Sequence, residues 1–159
     1  KDKYLKDTIL NSICILDGDR KTDINNRIIA LPGDVSPETL LIKYAEEMCG
    51  NGNCSFWKSK EVIEDNYGRK WFGSNVLPTY EEIVQKVAAK KEKGSPLNGY
   101  YRKKIKELLN KQLPFFKLVC REWIRDKNNH QMLEQFYENL KIMYMKNAPS
   151  YGLSRTEWK

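Results

Sequence analysis

A chain of 159 residues with 40% hydrophobic content can bury one sizeable core, or one core with a helical appendage, and is tight for two full domains. Its 28 lysines and arginines against 21 acids leave a net charge of +7, which favours polyanions or acidic partner proteins without establishing nucleic-acid binding. No apolar run approaches the roughly 18 residues of a membrane helix and no signal-peptide pattern opens the chain, so neither a membrane span nor export by that route is expected. Cys14, Cys49, Cys54 and Cys120 are widely spaced, which suits a reducing, cytoplasmic setting. A zinc site needs about four ligands. Beside Cys49 and Cys54 only His130 offers a histidine.

Residues 1 to 10 place Tyr4, Leu5, Thr8 and Ile9 on one side of an expected helix. Ser12-Ile13-Cys14-Ile15-Leu16-Asp17-Gly18-Asp19 then runs from consecutive apolar residues into two acids. Such a run predicts a strand covered on both faces, of the kind found in parallel α/β sheets. Bare carboxylates are costly to bury, so Asp17 and Asp19 belong at the carboxyl edge, where open α/β sheets bind ligands. Side chains two apart on a strand share a side, and Gly18 lets the backbone turn and approach a ligand. Two oxygen ligands suit Mg²⁺ or Mn²⁺, with waters and substrate phosphates completing the shell. Asp-Gly-Asp is equally ordinary turn chemistry. The haloacid-dehalogenase pattern needs a threonine where Lys21 stands, nothing else supports a nucleotide-sugar site, and Thr22 and Ile28 occupy the EF-hand's glycine and glutamate positions.

Arg20 and Lys21 open a polar loop, where cations stabilise ionised carboxylates and can hold a phosphate. Arg27 to Leu31 reads as a second strand, stopped by Pro32-Gly33. Ser36 and Pro37 then open a helix carrying Leu40, Leu41, Tyr44, Ala45 and Met48, with Gly50 as its stop. Glu38 lies in its first turn, where the helix dipole stabilises a carboxylate, so capping competes with a metal or substrate role.

The order Ile15 to Asp19, a basic loop, Ile28 to Gly33 and Ser36-Pro37-Glu38 resembles the second half of a Toprim domain in OLD-type ATPase-nucleases and related SMC-like or AAA defence ATPases. That resemblance covers about residues 12 to 48. It implies a partial Toprim-like Rossmannoid unit with a short parallel sheet, and a metal site of Asp17, Asp19 and Glu38 holding Mg²⁺ or Mn²⁺. The implied chemistry is nucleic-acid cleavage, most simply of DNA, with Lys21 or Arg20 stabilising phosphate charge, as part of anti-phage defence. The family's earlier glutamate-bearing strand and any Walker phosphate-binding motif are missing here. The chain opens on Lys1 rather than Met, and the resemblance places those parts, with the ATPase, upstream of it or on a partner subunit.

Beyond Gly50, residues 55 to 67 predict a helix with Phe56, Val62 and Ile63 inward, and Trp71-Phe72-Gly73 an aromatic turn. Aromatics beside Lys58, Lys60, Arg69 and Lys70 fit nucleic-acid stacking with phosphate contacts, although core aromatics with a solvated basic rim are the commoner arrangement. Thr79 to Glu82 reads as a capping box ahead of Tyr80, Ile83, Val84, Val87 and Ala88, and Lys90 to Pro96 as a linker. Three helices follow, marked by Tyr100 to Leu109, by Phe115 to Ile124 after Pro114, and by Met132 to Tyr144, whose stripe can pack in cis or dimerise. Arg102, Lys103 and Lys104 form a second basic cluster, which in one groove with the first would give a salt slope of about −3 to −5. The fold expectation is therefore an α/β segment over residues 1–93 and a mainly helical region over 94–159, with homo-oligomerisation open. The functional alternatives are a metal-dependent nuclease module and a non-catalytic domain that docks nucleic acid or a partner subunit.

Overall fold

The computed structural model describes residues 12–73, 81, 82, 85, 86 and 97–147. The expected opening helix, the linker, the tail from Pro149 and, of the capping box, Thr79 and Tyr80 fall outside the described residues; Glu81 and Glu82 are helical. The chain is mixed α/β with helix far in excess of strand. It gathers into two compact units, one combining residues 12–37 with 127–147 and the other spanning Glu38–Asp126.

In the first unit, strands β1 (Cys14–Leu16) and β2 (Ile28–Ala30) pair in parallel, with Cys14, Ile15 and Leu16 opposite Ile28, Ile29 and Ala30. Parallel neighbours usually need a helical crossover, but here residues 17–27 return by themselves. Asp23 makes this possible. It exchanges both backbone hydrogen bonds with Ile28, while its carboxylate accepts from the backbone N–H groups of Asn25 and Asn26 and from Asn26 Nδ2. That turn sets Arg27 at φ 58°, in the left-handed region. On the same edge of β2, Thr22 Oγ1 accepts from the Ala30 N–H at 3.1 Å, so that donor is also satisfied.

The last helix, here α6 (His130–Asn147), packs on β2 and buries Ile29 and Met143. Part of its apolar stripe, Met143 above all, is thus used in cis to cover a strand pair too small to be stable alone, while Met132 and Phe136 stay only partly buried. The expectation of a first strand covered on both faces fails at Ile15, which is 52% exposed although its register partner Ile29 is 1% exposed.

The second unit is helical: α1 (Pro37–Gly50), a 3₁₀ turn (Ser55–Lys58), α2 (Lys60–Glu64), α3 (Arg69–Gly73), α4 (Leu97–Lys111) and α5 (Leu113–Arg125). The expected helix over 55–67 is two pieces, because Asn66 turns left-handed at φ 57° and the chain breaks at Ser59. The break changes the phase. Val62 goes inward while Ile63 stays 58% exposed, against expectation. Trp71 and Phe72 lie on α3 rather than in a turn. Pro114 sits in the first turn of α5, where its missing N–H costs nothing, and the interruption is Gln112.

Phe115 organises this core. Fully buried, it meets the rings of Phe56, Trp57, Tyr67, Trp71, Phe72 and Phe116 at centroid distances of 5.1–6.2 Å. Ile42, Ala45 and Met48 supply the apolar side of α1. Polar ties hold the periphery: Trp57 Nε1 donates to the Met48 carbonyl at 2.9 Å, and Tyr44 Oη donates to Asp126 Oδ2 at 3.0 Å.

Two stability measurements follow. Phe115→Ala removes the shared partner of six rings and is expected to cost about 3–5 kcal/mol in chemical denaturation. Burial, then the hydrogen bond to Asp126, raise the Tyr44 phenol well above its ordinary 10.0. A raised folded-state value means the contribution is complete below pH 10 and lost as pH rises further. Tyr44→Phe should therefore cost about 1 kcal/mol at pH 7, and that difference should shrink in denaturation curves taken above pH 10.

Candidate functional site

At the carboxyl ends of β1 and β2 the first unit opens a cleft of about 710 Å³. One wall is the strand-end backbone, from Gly18 through Arg20 and Lys21 and from Ile29 to Asp34. Helix α6 and the turn before it form the other, through Asn128, Gln131, Met132, Gln135, Phe136 and Asn139. Positions 128, 131, 135 and 139 follow helical spacing and put an amide stripe beside the apolar pair Met132 and Phe136.

The floor depends on Gly18. A Cβ there would lie 2.5 Å from the Val35 carbonyl oxygen and 2.8 Å from that of Leu31, so the close approach is to the chain's own backbone. The loop reaches Gly18 because Gly33 and Asp34 are both left-handed, at φ 112° and 53°, conformations that glycine and aspartate tolerate best. The lining takes Gly18 but neither of its acidic neighbours. Sequence reasoning put Gly18 against a ligand; the structure puts it first against residues 31–35.

Asp17 is half-buried, and its backbone carbonyl accepts from the Arg20 N–H at 3.0 Å in a turn. Asp19 is exposed and lies 3.8 Å from Arg20 Nε, a surface pair worth little by itself. Glu38 belongs to the second unit, where Lys106 Nζ lies 3.4 Å from its carboxylate. Among the described residues no three of His, Cys, Asp or Glu gather into a group able to hold a metal. Asp17 and Asp19 both follow the end of β1, at Leu16.

The basic stretches of the second unit are largely engaged at home. Lys60 pairs with Glu64 at 3.7 Å, Lys104 with Glu107 at 2.7 Å, and Arg121 with Glu61 at 2.9 Å. Arg69 Nε donates to the Cys49 carbonyl, closing the end of α1, and its guanidinium lies against Gly52. Lys58, Lys70 and Lys103 are exposed, and Arg102 is half-buried. The aromatics beside Lys58 and Lys70, Trp57 and Trp71, are partly buried and pack against the core around Phe115. Cys120 is half-buried and burial raises its thiol, which makes it a poor nucleophile. All four cysteines are free.

The amide stripe of α6 escaped sequence reasoning. The sequence offers Asn128 or Asn129 as a cap of this helix and otherwise points to its apolar stripe, although Asn128, Gln131, Gln135 and Asn139 repeat at helical spacing. Compared with family models, with curated proteins and with solved structures, the chain matches none. No helix of the described residues is long and apolar enough to cross a membrane.

The backbone pinch gives a direct test. Gly18→Ala should destabilise the strand unit by about 1–3 kcal/mol, since both clashing atoms are backbone and cannot swing aside. Urea denaturation of the variant against wild type measures this.

Proposed function

We propose that the chain is a nucleic-acid-binding module whose contact surface is the cleft at the carboxyl ends of β1 and β2. The observation that carries this reading is the position of Arg20 and Lys21 on the lining of a cleft about 710 Å³ in volume. A guanidinium and an ammonium side by side are suited to phosphate oxygens. Lys21 has no ion-pair partner among the described residues, and Arg20 has only the exposed Asp19. A bound phosphate would therefore displace little. In this reading Asp-Gly-Asp is structural: it turns the strand end and seats residues 31–35.

A second reading is favoured by one specific observation, that Asp17 and Asp19 stand at the end of a parallel strand. It is the Mg²⁺-dependent nuclease suggested by the Toprim resemblance. Two carboxylates meet the protein's usual share of a Mg²⁺ shell, and such an ion would supply Lewis-acid polarisation of a phosphodiester. Asp17 and Asp19 would hold it, with Lys21 or Arg20 offsetting charge on the phosphate. Glu38, tied to Lys106, is the weakest member of the proposed set. A fused or partner ATPase belongs to this reading as well.

Anisotropy titrations of a labelled oligonucleotide at several salt concentrations separate the two. Under the first reading, binding persists in EDTA, and Arg20→Ala/Lys21→Ala lowers the magnitude of the log K against log[salt] slope by roughly 1.4–1.8. Lys103→Ala/Lys104→Ala, on the second unit, leaves the contribution of the cleft intact. Under the second reading, Mg²⁺ or Mn²⁺ produces cleavage that Asp17→Ala/Asp19→Ala abolishes. Binding that ignores Arg20 and Lys21 would remove the first reading.

A further inference from the structure

The wall opposite the two cations has a chemistry that phosphate binding does not use. Gln135 Nε2 donates to Asn139 Oδ1 at 3.2 Å across one helical turn. That bond consumes one donor and one acceptor. The pair still holds the Gln135 carbonyl oxygen, the second N–H of Gln135 and both N–H groups of Asn139. Exchanging the two amides' roles would again leave one unused carbonyl oxygen and three N–H groups. Beside this pair, Met132 and Phe136 are only partly buried and line the same cleft.

A flat ring with a polar edge is what such a wall fits. The thioether and the phenyl ring offer apolar surface to the face of the ring, and the amide pair offers a donor and an acceptor to its edge. Nucleobases present that combination, and the distal cations supply the place for the attached phosphate. The volume is within the range of about 300–1,000 Å³ that holds a small organic ligand, enough for a nucleotide. In a duplex the Watson–Crick edges are already paired and the faces stacked, whereas single strands leave both accessible.

Resting on the phosphate-binding reading above, we infer that the cleft takes a nucleoside phosphate with an unpaired base: phosphate on Arg20 and Lys21, base on α6 between the Met132–Phe136 surface and the Gln135–Asn139 amide pair. The natural source is single-stranded nucleic acid or a free nucleotide, which share this chemistry.

The test is fluorescence anisotropy on a labelled 12-nucleotide mixed-sequence single strand, the corresponding duplex, and labelled inorganic polyphosphate, all in EDTA. The single strand should bind about tenfold tighter than the duplex, since base contacts of this kind discriminate by about that factor or more. Gln135→Ala/Asn139→Ala should weaken the single strand about tenfold and leave polyphosphate unchanged, with circular dichroism confirming the helix. Phe136→Leu, which keeps apolar packing, should weaken the strand in the same selective way. Adenosine and uridine monophosphates as competitors identify the source: displacement near the strand's own Kd assigns a free nucleotide, and displacement only far above it assigns the strand. Equal affinity for strand and duplex, or an amide double variant that leaves strand binding unchanged while Arg20→Ala/Lys21→Ala still weakens it, overturns the base site alone. If Arg20→Ala/Lys21→Ala changes none of the three ligands, the phosphate-binding reading falls, and this inference with it.

Discussion

The absence of a side chain at Gly18 is the constraint on which the candidate site rests. Any Cβ would meet the carbonyl oxygens of Val35 and Leu31, so the end of β1 can lie against residues 31–35 only as glycine. That contact closes the strand ends into the floor of a cleft. It also determines what the cleft contains: Gly18 faces inward, the following Arg20 and Lys21 reach the lining, and the flanking carboxylates do not. The same residue that looks like a turn signal beside a metal site is, in three dimensions, a contact with the backbone of residues 31–35. Gly33 and Asp34, consecutive left-handed residues, are the other half of the device, because they bend the loop back onto Gly18.

The second unit has a different organising principle. Six rings surround Phe115, and aromatic pairs at such distances add to the large apolar area they bury. A core built this way draws in Phe56, Trp71 and Phe72, which the sequence places among lysines and arginines. The cations are left on the rim, where several meet carboxylates a turn or a helix away. Among the described residues of this unit, part of the positive charge is thus paired locally. Lys104 and Lys106 each face an acid, so much of the local field is offset within a few ångströms.

Local periodicity made much of this legible. The helix over Pro37–Gly50 and the helical stretches after residue 97 match their apolar spacing and their proline and glycine boundaries, and both short strands lie within the apolar runs that suggested them. Tertiary choices were not legible. Ile13 to Leu16 reads as buried on both faces, yet Ile15 is exposed, because among the described residues the sheet has two strands and lacks the neighbours that a central strand needs. Ile42 is absent from the expected stripe of α1 but is buried beside Ala45 and Met48, with Leu41 and Tyr44 packed partly buried against the same core. Arg69 looked like a phosphate ligand and closes a helix end instead, a role set by a carbonyl 20 residues distant in sequence.

The cleft itself could not have been read from either segment alone, because its two walls come from residues 18–34 and 128–139. Within the strand segment, Arg20 and Lys21 look like a solvated loop; within the helix, Gln135 and Asn139 look like solvent-facing polar positions. Their meaning arises from being opposite each other. A cation pair alone binds any polyanion, and its strength falls with salt in the same way for each. An amide pair alone binds little, because water satisfies it as well as a ligand does. On the proposed reading the two are complementary in function: the charges would supply attraction and position, while the amides and the Met132–Phe136 surface would penalise a ligand that has a phosphate but no unpaired base. Discrimination of that kind needs no metal and no catalytic carboxylate, which is why the cleft is the more economical account of what this chain's own residues can do.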